Sequence, residues 1–394
     1  LSYDAVKLIL FGFISTMGSR IFSFACAFYI LKYTDNSYLY SLYLTLIVLT
    51  TIFSTPIAGV FIDTLNNKRL VFYSQLTSVI ILTLFAFLYY DHIYLIIVIG
   101  VLLVIPDDIN SIIIQKNLQK IVTKDFERII SIRQTVSTIT SLITPILGGL
   151  IIAVMPLQLI GTINIFTEVI SIFLLQSLPI LNHKQSKNKF STLFNEGLQY
   201  LLKKKNLFIV LCTAIFVNFL SNSIIVGVPI IAVQQLKLTS TQFGMIEAAY
   251  TISIFLVSFI LSIYPLKKDL KKYFKMSILL QFFAIFALGG FLLFPHSHMI
   301  SFLFLAGVYF MIGSAMPLSN TSYFIYLQNV IEDEFKGRVF SLNQSIAQSI
   351  IPISLAFFGV ILNHNAGMVF LIVSSLILLV LLIFSFLVRN YEFE

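Results

Sequence analysis

The chain has 394 residues, of which 58% are hydrophobic and 11% charged, with a mean hydropathy of +0.96. Soluble domains carry about 25% charged residues, so this composition excludes a water-soluble globular protein and points to one embedded in a membrane. A net charge of +8 would suggest nucleic acid in a soluble chain, but here the cations sit in short stretches between apolar runs, where they set topology, and no nucleic-acid partner is expected.

Crossing the hydrocarbon as a helix takes roughly 20 apolar residues. Twelve runs qualify: 9–31, 39–62, 70–90, 93–114, 129–155 and 157–178, then 207–233, 243–264, 274–294, 299–326, 342–362 and 367–387. The first is of full membrane length, unlike the short core of a cleaved signal. The chain opens at Leu1 and not at Met, as expected if a few residues precede it. Of the 25 Lys and Arg, all but Arg20, Lys32 and Lys237 fall on the side of the membrane that holds the N-terminus. By the positive-inside rule that side is the cytoplasm, so a multi-pass cell-membrane protein with both termini cytoplasmic is expected.

Between the sixth and seventh runs lies a basic stretch, 182–205, with six lysines (Lys184, Lys187, Lys189, Lys203, Lys204 and Lys205). Its Phe190, Leu193, Phe194, Leu198, Leu201 and Leu202 recur at helical spacing, which predicts an amphipathic helix along the inner membrane face. It divides the chain into 1–181, a linker 182–205, and 206–394. The halves echo each other. Arg128-x-x-Ser131-x-x-Gln134 follows the fourth span and Arg338-x-x-Ser341-x-x-Gln344 follows the tenth, while Pro106 and Pro317 occupy equivalent places within those spans. A parallel repeat of six spans is a transporter layout with the substrate site between the halves.

Gly59-Val-Phe-Ile-Asp63-Thr64 ends the second span, and Lys68-Arg69 follows it. The glycine permits close helix approach, the aspartate can cap a neighbouring helix or pair with a loop cation, and the two cations anchor the inner face. The pattern resembles the G-x-x-x-D-R-x-x-R-R/K signature of the major facilitator superfamily, with Thr64 in place of the usual arginine. In the fifth span, Thr144-Pro145-Ile-Leu-Gly148-Gly149 resembles the tail of that superfamily's antiporter signature, with threonine in place of its leading glycine. Close packing by small residues also explains these positions. Glu334-Phe-Lys-Gly337-Arg338-Val-Phe-Ser, with Phe194-Asn-Glu196-Gly197 and Ser15-Thr-Met-Gly18-Ser19-Arg20, resembles the macrolide-efflux-like branch of multidrug exporters, which also contains siderophore exporters. The resemblance runs through nearly the whole chain. It implies an all-α integral membrane fold of twelve helices in two pseudo-symmetric six-helix bundles.

Charges within spans are the sharpest functional pointers, since each costs about 2.5–3.5 kcal/mol at a helix centre on insertion scales. Arg20 lies in span one, Asp107 and Asp108 follow Pro106 in span four, Glu168 lies in span six, and Glu247 lies in the outer part of span eight. Spans one and four line one cavity in the superfamily fold, so Arg20 is expected at the depth of Asp107 and Asp108. One reading is a titratable cluster of Arg20, Asp107, Asp108 and Glu168 that couples protons to transport. The other is a static ion pair that fixes helix register. Drug antiporters of the superfamily often carry the acid in span one and the arginine in span four, so the signs here are swapped. For Glu168, Arg20 or a polar neighbour is the expected partner. Glu247 either attracts cationic substrates in an outer vestibule or reaches for the outer interface. Phe24, Asn218, Asn222, Asn320, Gln344 and Gln348, with Tyr29 and Tyr43, are candidates for the cavity lining.

There is no Walker A loop, no H-E-x-x-H and no G-x-S-x-G, so neither ATP drive nor enzyme chemistry is expected. Cys26 and Cys212 lie in apolar runs, and His296 and His298 lie in an outer loop, so neither cofactor nor resident metal is expected. The expected function is a monomeric, lipid-surrounded secondary exporter of an amphipathic, drug-like molecule against protons. A siderophore or other metallophore is the alternative cargo, with a lipid-like one third. A membrane-embedded sensor or enzyme without transport is the alternative from another class, to be recognised by a signalling defect with normal export.

Overall fold

A computed structural model describes residues 3–34, 36–88, 93–122, 126–180, 199–201, 203–264, 266, 270–362 and 365–388. Twelve long helices fill these ranges: α1 Tyr3–Thr34, α2 Ser37–Thr64, α3 Asn67–Leu88, α4 Ile93–Ile121, α5 Phe126–Val154, α6 Leu157–Gln176, α7 Lys205–Ile230, α8 Ser240–Ile263, α9 Leu270–Phe291, α10 His298–Val330, α11 Asp333–Ile361 and α12 Ala366–Leu387. Each contains a stretch long and apolar enough to cross a bilayer. An α-helix satisfies its own backbone, the condition for a chain with lipid around it. Side chains sort accordingly. Phe87, Phe173 and Phe386 are 72–77% exposed on the outer surface of their bundles, while serines, threonines and amides such as Gln75, Asn117, Asn164 and Gln281 are buried inside.

Several helices outrun the apolar stretches. Hydropathy ends the fourth run at 114 and begins the eleventh at 342, yet α4 continues to Ile121 and α11 starts at Asp333. Hydropathy detects only the lipid-facing part of a helix. Polar turns beyond the membrane continue the same hydrogen-bond ladder. The two R-x-x-S-x-x-Q segments lie at equivalent places, near the start of α5 and of α11. Local chemistry sets other boundaries. Asn36, Ser297 and Asn365 cap α2, α10 and α12 by accepting from backbone N–H groups two or three residues on. Pro229 precedes a π-helical turn, Ile231–Gln235, that ends the seventh span.

The chain divides into two compact units, Leu1–Ser186 with Thr239–Met245, and Lys187–Leu238 with Ile246–Glu394. In the first, α1 packs on α5 and α6, α3 on α4 and α6, and α2 on α4. In the second, α7 packs on α11 and α12, and α9 on α10 and α12. Four of these pairings are the same pairings moved six helices along, the internal repeat expressed as packing. Glycines set the closest approaches. A Cβ on Gly161 of α6 would meet Phe85 at 3.0 Å and Phe22 at 3.3 Å, and those two rings pack edge to face at 5.3 Å.

Most of the basic stretch lies outside the described residues, including five of its six apolar positions. Its end belongs to the second unit. Tyr200 and Leu201 are buried, and Tyr200 stacks on Phe335 at 4.4 Å between centroids. Glu332 donates its backbone N–H to the Tyr200 hydroxyl at 3.1 Å, and Lys204 donates to Glu332 at 2.9 Å and to the Val330 carbonyl at 3.3 Å. Hydrogen bonding to Tyr200 first, then to Glu332, holds the Lys204 ammonium above its ordinary pKa. The linker therefore ends fastened to the turn between α10 and α11.

Two glycines of α10 make an internal comparison. A Cβ at Gly313 would lie 2.4 Å from the Tyr250 carbonyl oxygen of α8 and 2.1 Å from Ser253 Oγ, whereas one at Gly307 meets nothing within 4 Å. Gly313→Ala is expected to destabilise the protein by about 1–3 kcal/mol through overpacking against backbone. Gly307→Ala is expected to be neutral or to stabilise by up to about 1 kcal/mol. Thermal unfolding of the two purified variants in one detergent checks the ordering.

Candidate functional site

The charges within the spans of the first unit gather around two adjoining cavities. Pro106 withdraws one backbone hydrogen bond from α4 immediately before Asp107, where the chain places two consecutive carboxylates. Consecutive helical residues point about 100° apart, so the two face different neighbours. Asp108 turns to α2 and accepts a hydrogen bond from Ser54. Asp107 is exposed and lines both cavities.

The larger cavity has a volume of about 350 Å³ and lies among α1, α4 and α5. Arg20, Arg133, Asp107 and Asp108 line it together with Ser15, Asn110 and Gln115. Arg20 is thus at the depth of the two aspartates, as expected, but it does not pair with either. It donates to Ser141 of α5, whose hydroxyl in turn donates to the Ser137 carbonyl at 2.9 Å. The ion pairs among the described residues are Lys7–Asp4 and Lys204–Glu332. The expected Arg20–aspartate pair is therefore corrected to a shared cavity wall, with a serine on each side taking the direct contact.

The smaller cavity, about 90 Å³, lies deeper, among α1, α2, α3, α4 and α6. Its polar lining is Asp107, Glu168, Ser19, Ser23, Tyr43, Ser78 and Asn164. Glu168 is 1% exposed. Its partners are hydroxyls of α1 and not Arg20: Ser19 donates at 3.1 Å and Ser15 at 3.3 Å to the same oxygen. Two glycines allow this arrangement. A Cβ at Gly18 would meet Thr167 Oγ1 at 2.3 Å and Asn164 Oδ1 at 2.6 Å, and one at Gly100 would meet the Tyr43 ring at 2.5 Å.

The remaining candidates are spread more widely. Phe24 packs against Gly148, where a Cβ would come within 2.8 Å of the ring, and Gly149 is buried beside it. Tyr43 is buried in the deep cavity, and Tyr29 packs against Tyr33 with the rings tilted by 31°. In the second unit, Asn218, Asn320, Gln344 and Gln348 are exposed, and Asn222 is buried. Glu247 is half-buried on α8 and faces Tyr309, whose ring packs edge to face on Tyr250. Lys68 and Arg69 are exposed at the start of α3. Gly59, Asp63, Gly337 and Arg338 lie on α2 and α11 with side chains outside the described set. Sequence reasoning did not single out Ser54, Ser141, Asn164 or Arg133. Asn164 carried a readable signal, since it lies four residues before Glu168 on the same face of α6.

The contrast between the two carboxylates is measurable. With Cys26 and Cys212 replaced by serine, Asp107→Cys is expected to react with a small hydrophilic thiol reagent at least about tenfold faster than Glu168→Cys, following exposure. Alkylation rates on the purified protein check this. Equal rates would place the two positions in one equally open space.

A family model described as the Major Facilitator Superfamily matches residues 8–356. No curated protein matched in sequence. Solved structures are similar in fold at low identity. A bacterial homologue of the iron transporter ferroportin, in an inward-facing state, has a TM-score of 0.76 at 15% identity, covering 98% of this chain and 100% of that one. A bacterial metal transporter gives 0.72 at 14%, covering 98% of each chain, and the nucleoside transporter NupG gives 0.73 at 15%, covering 99% and 100%. With a family model across most of its length and twelve membrane-length helices in two units of matching packing, the chain belongs to the major facilitator superfamily.

Proposed function

We propose that this transporter is a secondary active exporter that moves an amphipathic small molecule out of the cell by alternating access, in exchange for protons. The observation that carries the reading is the 350 Å³ cavity of the first unit, lined by four charged side chains, Arg20, Arg133, Asp107 and Asp108, among membrane-length helices. Its volume is in the range of small-molecule sites, about 300–1,000 Å³. Charges at such depth are costly and mark substrate or ion pathways. Asp107 is the wall shared with the deeper cavity of Glu168, so protonation of either acid alters the field felt by the other. Arg20, held by Ser141, keeps a fixed positive charge on the same surface. The macrolide-efflux-like resemblance supports a drug-like cargo.

The same reading takes 1–181 and 206–394 as two halves joined by a cytoplasmic linker at 182–205, with both termini cytoplasmic and the monomer as working unit in the cell membrane. Within the second half, the exposed Asn218, Asn320, Gln344 and Gln348 are proposed as hydrogen-bonding groups for cargo. Gly59, Asp63, Lys68, Arg69, Gly337 and Arg338 serve the conformational change, and Pro145, Gly148 and Gly149 the close packing that accompanies it.

A second reading takes a metallophore as the cargo, in line with the similar folds of a bacterial metal transporter and a bacterial homologue of an iron transporter. Their 14–15% identity carries the fold alone, but a metallophore is an amphipathic cargo that the same cavity suits. A strain lacking the gene separates the two: drug sensitivity alone supports the first cargo, and metal-dependent growth loss with less secreted chelator supports the second. In everted vesicles with an acid lumen, the wild-type protein is expected to accumulate a fluorescent amphipathic cation. Asp107→Asn, at normal expression, is expected to lower accumulation by about tenfold or more, the effect of about 1.4 kcal/mol. Undiminished accumulation by Asp107→Asn, Asp108→Asn and Arg20→Ala would remove the cluster from the coupling.

A further inference from the structure

The deep cavity of the first unit has an imbalance that the larger one lacks. Around the larger cavity two arginines, Arg20 and Arg133, face two aspartates, Asp107 and Asp108. The lining of the deep cavity adds a third carboxylate, Glu168, and among the described residues it contains no Lys, Arg or His. Glu168 is 1% exposed. Its Oε1 accepts from Ser15 and Ser19, while its Oε2, also shielded from solvent, has no hydrogen-bond partner among the described residues. Gln75 of α3 lies near enough to the carboxylate to favour its charged form as a hydrogen-bond donor, but at a separation outside strict hydrogen-bond geometry. An ionised carboxylate held inside a bilayer without a countercharge is strongly disfavoured.

We propose that Glu168 and its surroundings form a binding site for one small monovalent metal cation of the sodium class. The lining residues offer oxygen donors: the carboxylates of Glu168 and Asp107, the Asn164 side-chain oxygen, which also accepts from Thr167, and the hydroxyls of Ser23, Ser78 and Tyr43. An all-oxygen set suits hard cations and gives no advantage to thiophilic or imidazole-seeking metals. The single uncompensated charge fits a monovalent ion, because Asp107 already shares its other wall with Arg20 and Arg133. About 90 Å³ holds a small ion with a few waters and is too small for an organic cation of cargo size. Both hydroxyl donors fall on Oε1, which leaves Oε2 as the oxygen a cation would take. A cation on Oε2 completes that set and ties α6 to α1 and α4. This site does not depend on which cargo the protein moves, and it shares Asp107 and Glu168 with the proposed proton pathway.

The test uses the purified full chain in detergent, in choline chloride at constant ionic strength. Radioactive sodium is expected to bind saturably at one ion per chain, and sodium, unlike potassium or choline, is expected to raise the unfolding temperature by about 5 °C when well above its dissociation constant. Glu168→Gln abolishes both responses, and Asp4→Asn, at the N-terminal end of α1, keeps them. If Glu168→Gln fails to fold, Asn164→Ala serves instead, with an expected rise in the sodium dissociation constant of about tenfold, or 1.4 kcal/mol. Absence of saturable sodium binding, equal stabilisation by potassium, or sodium binding unchanged in both variants overturns the proposal. Stabilisation that follows pH alone also overturns it and assigns the site to a proton. Because these are equilibrium measurements without cargo, their failure is separate from failure of export.

Discussion

An ionised side chain at the centre of a membrane helix costs about 2.5–3.5 kcal/mol on insertion scales, and the arrangement of the first unit follows from that cost. Arg20, Asp107, Asp108 and Glu168 are not answered by one another in ion pairs. Serines from neighbouring helices take the direct contacts: Ser141 for Arg20, Ser54 for Asp108, and Ser15 with Ser19 for Glu168. A hydroxyl satisfies an ionic group without fixing it as tightly as an opposite charge does. In a transporter that changes conformation such contacts are exchangeable, whereas a buried ion pair broken on one side costs several kcal/mol.

The glycines do related work. Gly18 admits Asn164 and Thr167 to the surface of α1, Gly100 admits the Tyr43 ring to α4, and Gly161 receives Phe22 and Phe85. Helices in lipid have no hydrophobic force between them and associate by close packing and hydrogen bonds. The residues that bring helices together in the first unit are therefore the ones that bring polar atoms into the deep cavity. Packing and site are one construction. In the second unit Gly313 plays the packing role against Tyr250, next to the Tyr250–Tyr309 contact that faces Glu247.

The fold was largely legible in the sequence, because its signals are local. Hydropathy marks each span, and Pro106 with Pro317 and the two R-x-x-S-x-x-Q segments mark the repeat that recurs in the helix pairings. Helix ends were less legible: α4 and α11 run on through polar turns that hydropathy does not register. In the site, the charged residues announced themselves, and Arg20 does share a cavity with Asp107 and Asp108. Their partners did not. A serine in an apolar helix is common and carries little signal, and which one meets a charge depends on helix rotation, which spacing along one chain does not specify. Glu168 shows this best. Its neighbours Ser15 and Ser19 lie some 150 positions away in sequence and reach it only because α1 packs on α6.

The central claim is that cargo leaves through a cavity whose carboxylates carry protons the other way. Its most direct test is the flux itself. The purified protein is reconstituted in liposomes that enclose a pH-sensitive dye, and a fluorescent amphipathic cation is supplied with no imposed gradient. The account predicts a proton flux opposite to the cargo flux, rising with it in fixed ratio in the wild type and uncoupled in Asp107→Asn. Cargo movement with no accompanying proton flux in the wild-type protein would contradict it.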